Sequence, residues 1–111
     1  MSVREMVKAM QAEMLKGEML PERQREVHAR LSALLGNCND EIREADAAYG
    51  AVLLILYGVE KTANRAKIRA EITPEFARKR TAKDMKELVI EMIRTLRQNM
   101  RSLDEEMRLA R

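Results

Sequence analysis

Nine side chains between Leu31 and Val59 constrain this chain more than anything else in it. One row, Leu35, Ile42, Tyr49 and Leu56, repeats every seven residues, and so does a second, Leu31, Cys38, Ala45, Val52 and Val59. A sustained seven-residue apolar repeat is the signature of an α-helix packed in a left-handed coil against a neighbour. Composition agrees. Of 111 residues, 46% are hydrophobic, 35% charged and only 3% aromatic, with two prolines and four glycines. That is the make-up of long helices, and the length allows one small domain. It excludes a collagen, a disulfide scaffold and a large α/β enzyme.

Start and stop signals divide the chain into three helical segments. The first spans residues 1–16. Ser2 is placed to cap it, Glu5 three residues later completes a capping box, and Val3, Met6, Val7, Met10 and Met14 form one apolar face. Gly17 and Pro21 close it. The second opens with Pro21 and an acidic first turn at Glu22 and extends over residues 21–72. Inside it, Gly36-Asn37 followed by Asn39-Asp40 reads locally as a stop and a fresh cap. The unbroken heptad phase favours one helix instead, with Gly36 as the place for a bend. The third begins at Thr73 as cap and Pro74 as first residue and runs over residues 74–108. Its apolar positions are Ala82, Met85, Val89, Met92, Leu96, Met100, Leu103 and Met107, with one stutter in the heptad phase.

The predicted fold is therefore all-α: a long, coiled-coil-like antiparallel helical hairpin with a short N-terminal amphipathic helix, in a single domain over residues 1–111. The run Leu53, Leu54, Ile55 and Leu56 is apolar around most of the helix circumference, more than one neighbour can cover. These four residues are the expected self-association surface, and a homodimeric helical bundle is the expected assembly. The longest apolar run, Ala47 to Val59, is too short for a membrane span of about 20 residues. Ser2 to Lys16 is amphipathic rather than basic-then-apolar, so no secretory leader is expected. Cys38 is the sole cysteine, which excludes an intramolecular disulfide and fits a reducing compartment. The expectation is a cytoplasmic protein with no membrane partner.

Charge is distributed unevenly. Residues 1–60 carry seven Lys/Arg against ten Asp/Glu, and residues 61–111 carry fourteen against eight. Lys61, Arg65, Lys67, Arg69, Arg78, Lys79, Arg80 and Lys83 gather around the second turn of the hairpin, with only Glu71 and Glu75 among them. Such a cluster holds phosphates through charge and counterion release, or the carboxylates of an acidic protein partner. It is also what a solvated helix end looks like. Single-stranded nucleic acid also uses aromatic platforms, and here only Tyr57 and Phe76 are near.

Chemistry finds little support. Zinc needs three or four Cys, His or carboxylate ligands, and the chain has one His and one Cys. His28 and Cys38 lie roughly 15 Å apart along one helix, beyond reach of a dyad within one chain. Both fall on the heptad seam, Cys38 as a small buried hydrophobe and His28 as a partly exposed packing residue. The carboxylates, such as Glu87 and Glu91 beside Lys83, Lys86 and Arg94, follow the spacing of solvated surface pairs. The glycines at 17, 36, 50 and 58 are isolated, so no phosphate loop exists. The sequence predicts no catalytic residue, no metal, no cofactor and no enzymatic activity. The methionines fall in two stripes, Met6, Met10 and Met14 against Met85, Met92, Met100 and Met107. These are expected to pack together, although thioethers also suit adaptable protein-binding faces.

The second half carries a resemblance. Lys61-Thr62-Ala63-Asn64-Arg65-Ala66, then Glu71-Ile72-Thr73-Pro74-Glu75-Phe76, then Leu96-Arg97, Arg101-Ser102-Leu103 and Glu106-Met107-Arg108 resemble, in order, a group of small helical proteins encoded by tailed bacteriophages and prophages. The likeness covers roughly residues 40–111 and leaves out the methionine-rich first helix. It transfers no catalytic or binding residue. It implies a setting: a short phage protein in the host cytoplasm, working beside DNA replication, recombination or host takeover. Taken together, these readings lead to a non-enzymatic helical dimer that binds another protein, one that handles nucleic acid, as an accessory or as an inhibitor of a host defence nuclease. The alternatives are direct nucleic-acid binding through residues 61–83 and a structural component of the virion.

Overall fold

A computed structural model of the chain describes residues 2–110. Four helices account for the described chain: α1 (Val3–Leu15), α2 (Pro21–Val59), α3 (Ala63–Ala70) and α4 (Pro74–Leu109). The fold is all-α and its long helices form a hairpin.

Helix ends follow the local chemistry. The Ser2 hydroxyl accepts a hydrogen bond from the Glu5 amide at 3.2 Å, satisfying one amide that the first turn leaves open. Gly17, with φ of 72°, turns the chain out of α1 in the left-handed conformation that favours glycine. Pro21 opens α2, and the Gln24 side chain reaches back to donate to the Met19 carbonyl at 3.0 Å. Helix α2 then continues through Gly36 and Asn37 without interruption. The helix-breaking signals there are outweighed by the buried neighbours Leu34 and, on the seam, Cys38.

The segment expected over residues 21–72 is two helices rather than one. Helix α2 ends at Val59, and Thr62 starts α3, its hydroxyl accepting from the Arg65 amide at 3.2 Å. Gly58 weakens the last turn of α2, and the Thr62 cap offers the backbone a better partner than continuing. Thr73 then joins α3 to α4. Its hydroxyl donates to the Ala70 carbonyl at 2.6 Å and accepts from the Phe76 amide at 3.4 Å.

The contacts divide the chain into two compact units, residues 1–37 with 87–111 and residues 38–86. In the first, α1 supplies Val7 and Met10, α2 supplies Val27, Leu31 and Leu34, and α4 supplies Val89, Met92, Ile93 and Leu96, all buried. The helices run antiparallel, so that His28 early in α2 accepts from Arg97 late in α4 at 3.3 Å. Across the turn between α1 and α2, Arg23 grips both oxygens of Glu13 at 2.7 and 2.9 Å. The second unit is built differently. Its buried apolar residues are Cys38 and four alanines, Ala45, Ala66, Ala70 and Ala82. The antiparallel sense recurs there: Tyr49 on α2 packs against Phe76 on α4 with ring centroids 5.5 Å apart.

Both heptad rows face inward up to Leu56, but Val59 is exposed. On α4, Ala82, Val89, Met92 and Leu96 are buried and Met85, Met100 and Leu103 half-buried, whereas Met107 is exposed. The methionine stripe thus ends before its predicted last member, because every described residue of α4 from Asp104 onward is exposed.

Candidate interaction surface

Two features of the second unit, an apolar face and a set of cations, remain without partners inside the chain. The apolar run at the end of α2 splits by helical phase. Leu53 and Leu56 turn inward and are half-buried, while Leu54 and Ile55 are 72% and 67% exposed. The expected self-association set is therefore two residues facing the unit's own core and two facing out. Sequence reading missed the contribution of α3, whose Ile68 and neighbouring Ile72 are also exposed. Helix α3 is short and its seam lies on Ala66 and Ala70, so the larger side chains fall on its outer side. The hydrophobic content of one eight-residue segment gives little signal of this.

The eight basic residues are not equivalent. Arg78 donates to both oxygens of Glu41, at 2.7 and 3.1 Å, and reaches Glu44 at 3.4 Å. The Arg78 guanidinium holds the Glu41 carboxyl below its ordinary range, and Glu41 in turn raises Arg78. Lys79 lies 3.9 Å from Asp46 and 4.5 Å above the Tyr49 ring. Arg69 pairs with Glu60. Arg80 covers the Phe76 ring at 6.0 Å. Lys61, Arg65, Lys67 and Lys83 are exposed and, like Arg80, form no salt bridge among the described residues. Three of the eight predicted contact residues are thus neutralised within the chain and five keep their charge free. The aromatic resource shrinks as well, since Phe76 is half-buried beneath Tyr49 and Arg80, leaving Tyr57, 41% exposed, as the open ring.

Cys38 is buried on the seam, and burial pushes its thiol up, only partly opposed by Lys86. His28 is half-buried and engaged with Arg97. Among the described residues no three His, Cys, Asp or Glu side chains come close enough together to hold a metal ion. No helix among them is long and apolar enough to cross a membrane.

The first unit contains two apolar clefts beside α1. One, of about 480 Å³, lies between Met6, Met10 and Leu34, with Arg23 and Glu13 at its edge. The other, of about 290 Å³, lies between Met14, Met92 and Leu96. Gln24 borders the second, its Oε1 buried and without a hydrogen-bond partner, but enclosed by protein rather than open to the cleft. Polar side chains share both linings, Arg30 and Asn37 in the first cleft and Gln11, Glu91, Thr95 and Asn99 in the second.

No protein-family model, no curated protein and no solved structure matches the chain.

Proposed function

We propose that this chain is a non-enzymatic interaction protein that self-associates through the outer face of α2 and binds another protein through its free basic residues. The partner is a nucleic-acid-processing machine in the host cytoplasm, as the resemblance to tailed-phage proteins implies. The chain serves it as a replication or recombination accessory, or inhibits a defence nuclease. One observation carries the reading: the second unit leaves Leu54 and Ile55 facing solvent while Lys61, Arg65, Lys67, Arg80 and Lys83 go unpaired. Exposed apolar surface beside unpaired charge is what a binding face needs.

The test is a tagged pull-down from bacterial lysate, with and without nuclease, comparing the natural chain with one in which Lys67, Arg80 and Lys83 are Ala. A stoichiometric protein that survives nuclease and is lost with the three alanines supports the reading. Recovery of nucleic acid alone overturns it in favour of direct nucleic-acid binding. That second reading draws on the same five cations, but only one open aromatic ring accompanies them, where single-strand binders use several.

A further inference from the structure

We infer that α2 pairs with α2 of a second copy of this chain, antiparallel, about a two-fold axis between Val52 and Leu53. The proposal rests on the self-association just described and specifies its geometry. Helix α2 carries a second apolar seam on its outer side: Ala47, Gly50, Ala51, Leu54, Ile55 and Gly58, every one exposed. Steps of four, three and four link Ala47, Ala51, Leu54 and Gly58, the spacing that keeps side chains in line with a neighbouring helix. No charged residue interrupts residues 47–59.

The glycines argue that the neighbour comes from outside. A glycine inside a helix costs about 1 kcal/mol relative to alanine. Gly50 and Gly58 lack the positive φ that would require glycine, and a Cβ at either would meet nothing within 4 Å. The chain's own packing makes no use of them. A helix approaching this face does, because small residues let two backbones come to the near end of the usual range of about 8–10 Å.

Large and small residues then select the direction. With the axis between Val52 and Leu53, Leu54 of one copy faces Ala51 of the other, Ile55 faces Gly50, and Ala47 faces Gly58. Each large side chain meets a small one. Pairing in parallel register would set Leu54 against Leu54 and leave Gly50 and Gly58 facing their own kind across gaps. Charge points the same way. The antiparallel register brings Glu44 of one copy to the C-terminal end of α2 on the other, where Lys61 follows in the link to α3. Glu44 is 69% exposed, since Arg78 is held mainly by Glu41, and Lys61 has no partner of its own. Parallel pairing would oppose like charges at both ends.

The full chain is tested by sedimentation equilibrium and by disulfide trapping. In a Cys38→Ala background, chains carrying Glu44→Cys are mixed with chains carrying Lys61→Cys under mild oxidation. The expected results are a dimer of the natural chain, a dissociation constant raised about thirtyfold or more by Leu54→Glu, and a mixed 44–61 disulfide as the main product. Glu44→Lys and Lys61→Glu should each weaken the dimer and restore it when combined, a readout that loss of folding would not give. Dominant 44–44 and 61–61 disulfides, or a dimer indifferent to Leu54→Glu, would overturn the antiparallel seam while leaving self-association standing. A natural chain that stays monomeric at high concentration would overturn both.

Discussion

Arg78 on α4 and Glu41 on α2 form a two-bond ion pair, Nε at 2.7 Å from one carboxylate oxygen and Nη2 at 3.1 Å from the other. This grip removes the central arginine of the basic turn from service as a free cation. Binding to a polyanion should therefore distinguish cations that look alike in sequence. Changing Lys67, Arg80 or Lys83 to Ala should each lower the salt slope of single-stranded DNA binding by about 0.7. Arg78→Ala should lower it much less, and Glu41→Gln should strengthen binding by releasing the guanidinium. Titrations across a salt series read all five.

The same pair and its counterpart Glu13–Arg23 give stability a dependence on pH. Hydrogen bonding from Arg23 lowers Glu13, as that from Arg78 lowers Glu41. Carboxyls depressed in the folded chain contribute fully at neutral pH, above their unfolded values, and the contribution disappears as pH falls through the folded values. The thermal midpoint should thus fall on acidification below about pH 5. In a chain with Glu13→Gln and Glu41→Gln, the midpoint should start lower and fall less. Circular dichroism melts over a pH series check both.

Core substitutions should behave oppositely in the two units. Leu31 is fully buried among aliphatic side chains, and Leu31→Ala should cost about 2–5 kcal/mol in urea denaturation. Ala66 is fully buried where α3 packs closely, and Ala66→Leu should cost about 1–3 kcal/mol through overpacking.

Two glycines should respond with opposite signs. Gly17 holds a φ of 72°, so Gly17→Ala should destabilise by about 1–2 kcal/mol. Gly36 sits inside α2 with open space where a Cβ would be, so Gly36→Ala should stabilise by about 0.5–1 kcal/mol. Paired thermal melts are sufficient.

Periodicity made the long helices readable. The seam from Leu31 to Leu56 and the α4 row from Ala82 to Leu103 turn inward as their spacing requires, and Thr73-Pro74 opens α4 where cap chemistry places it. The break at residues 60–62 was harder to read, because Val59 continues the seven-residue phase and a single threonine cap decides the outcome. Cross-helix pairing was illegible for a related reason. Glu41 stands beside the seam position Ile42, but its partner lies 37 residues away, and no local spacing encodes that register. The outer seam of α2 was hidden by its own composition: a run apolar all round does not reveal which half faces in until α3 and α4 take their places.

The contrast between leucine and alanine interiors has a consequence in time as well as in packing. A buried alanine removes a single methyl group from water, so the elements that meet over Ala45, Ala66, Ala70 and Ala82 gain less by closing than those that meet over Leu31, Val89 and Leu96. Amide protons of α3 and of the adjoining turns of α2 and α4 should exchange through openings of lower free energy than those around Leu31 and Leu96. The half of the molecule that presents Leu54, Ile55 and the free cations should thus open more readily, and the dimer proposed above should raise its protection factors as protein concentration increases.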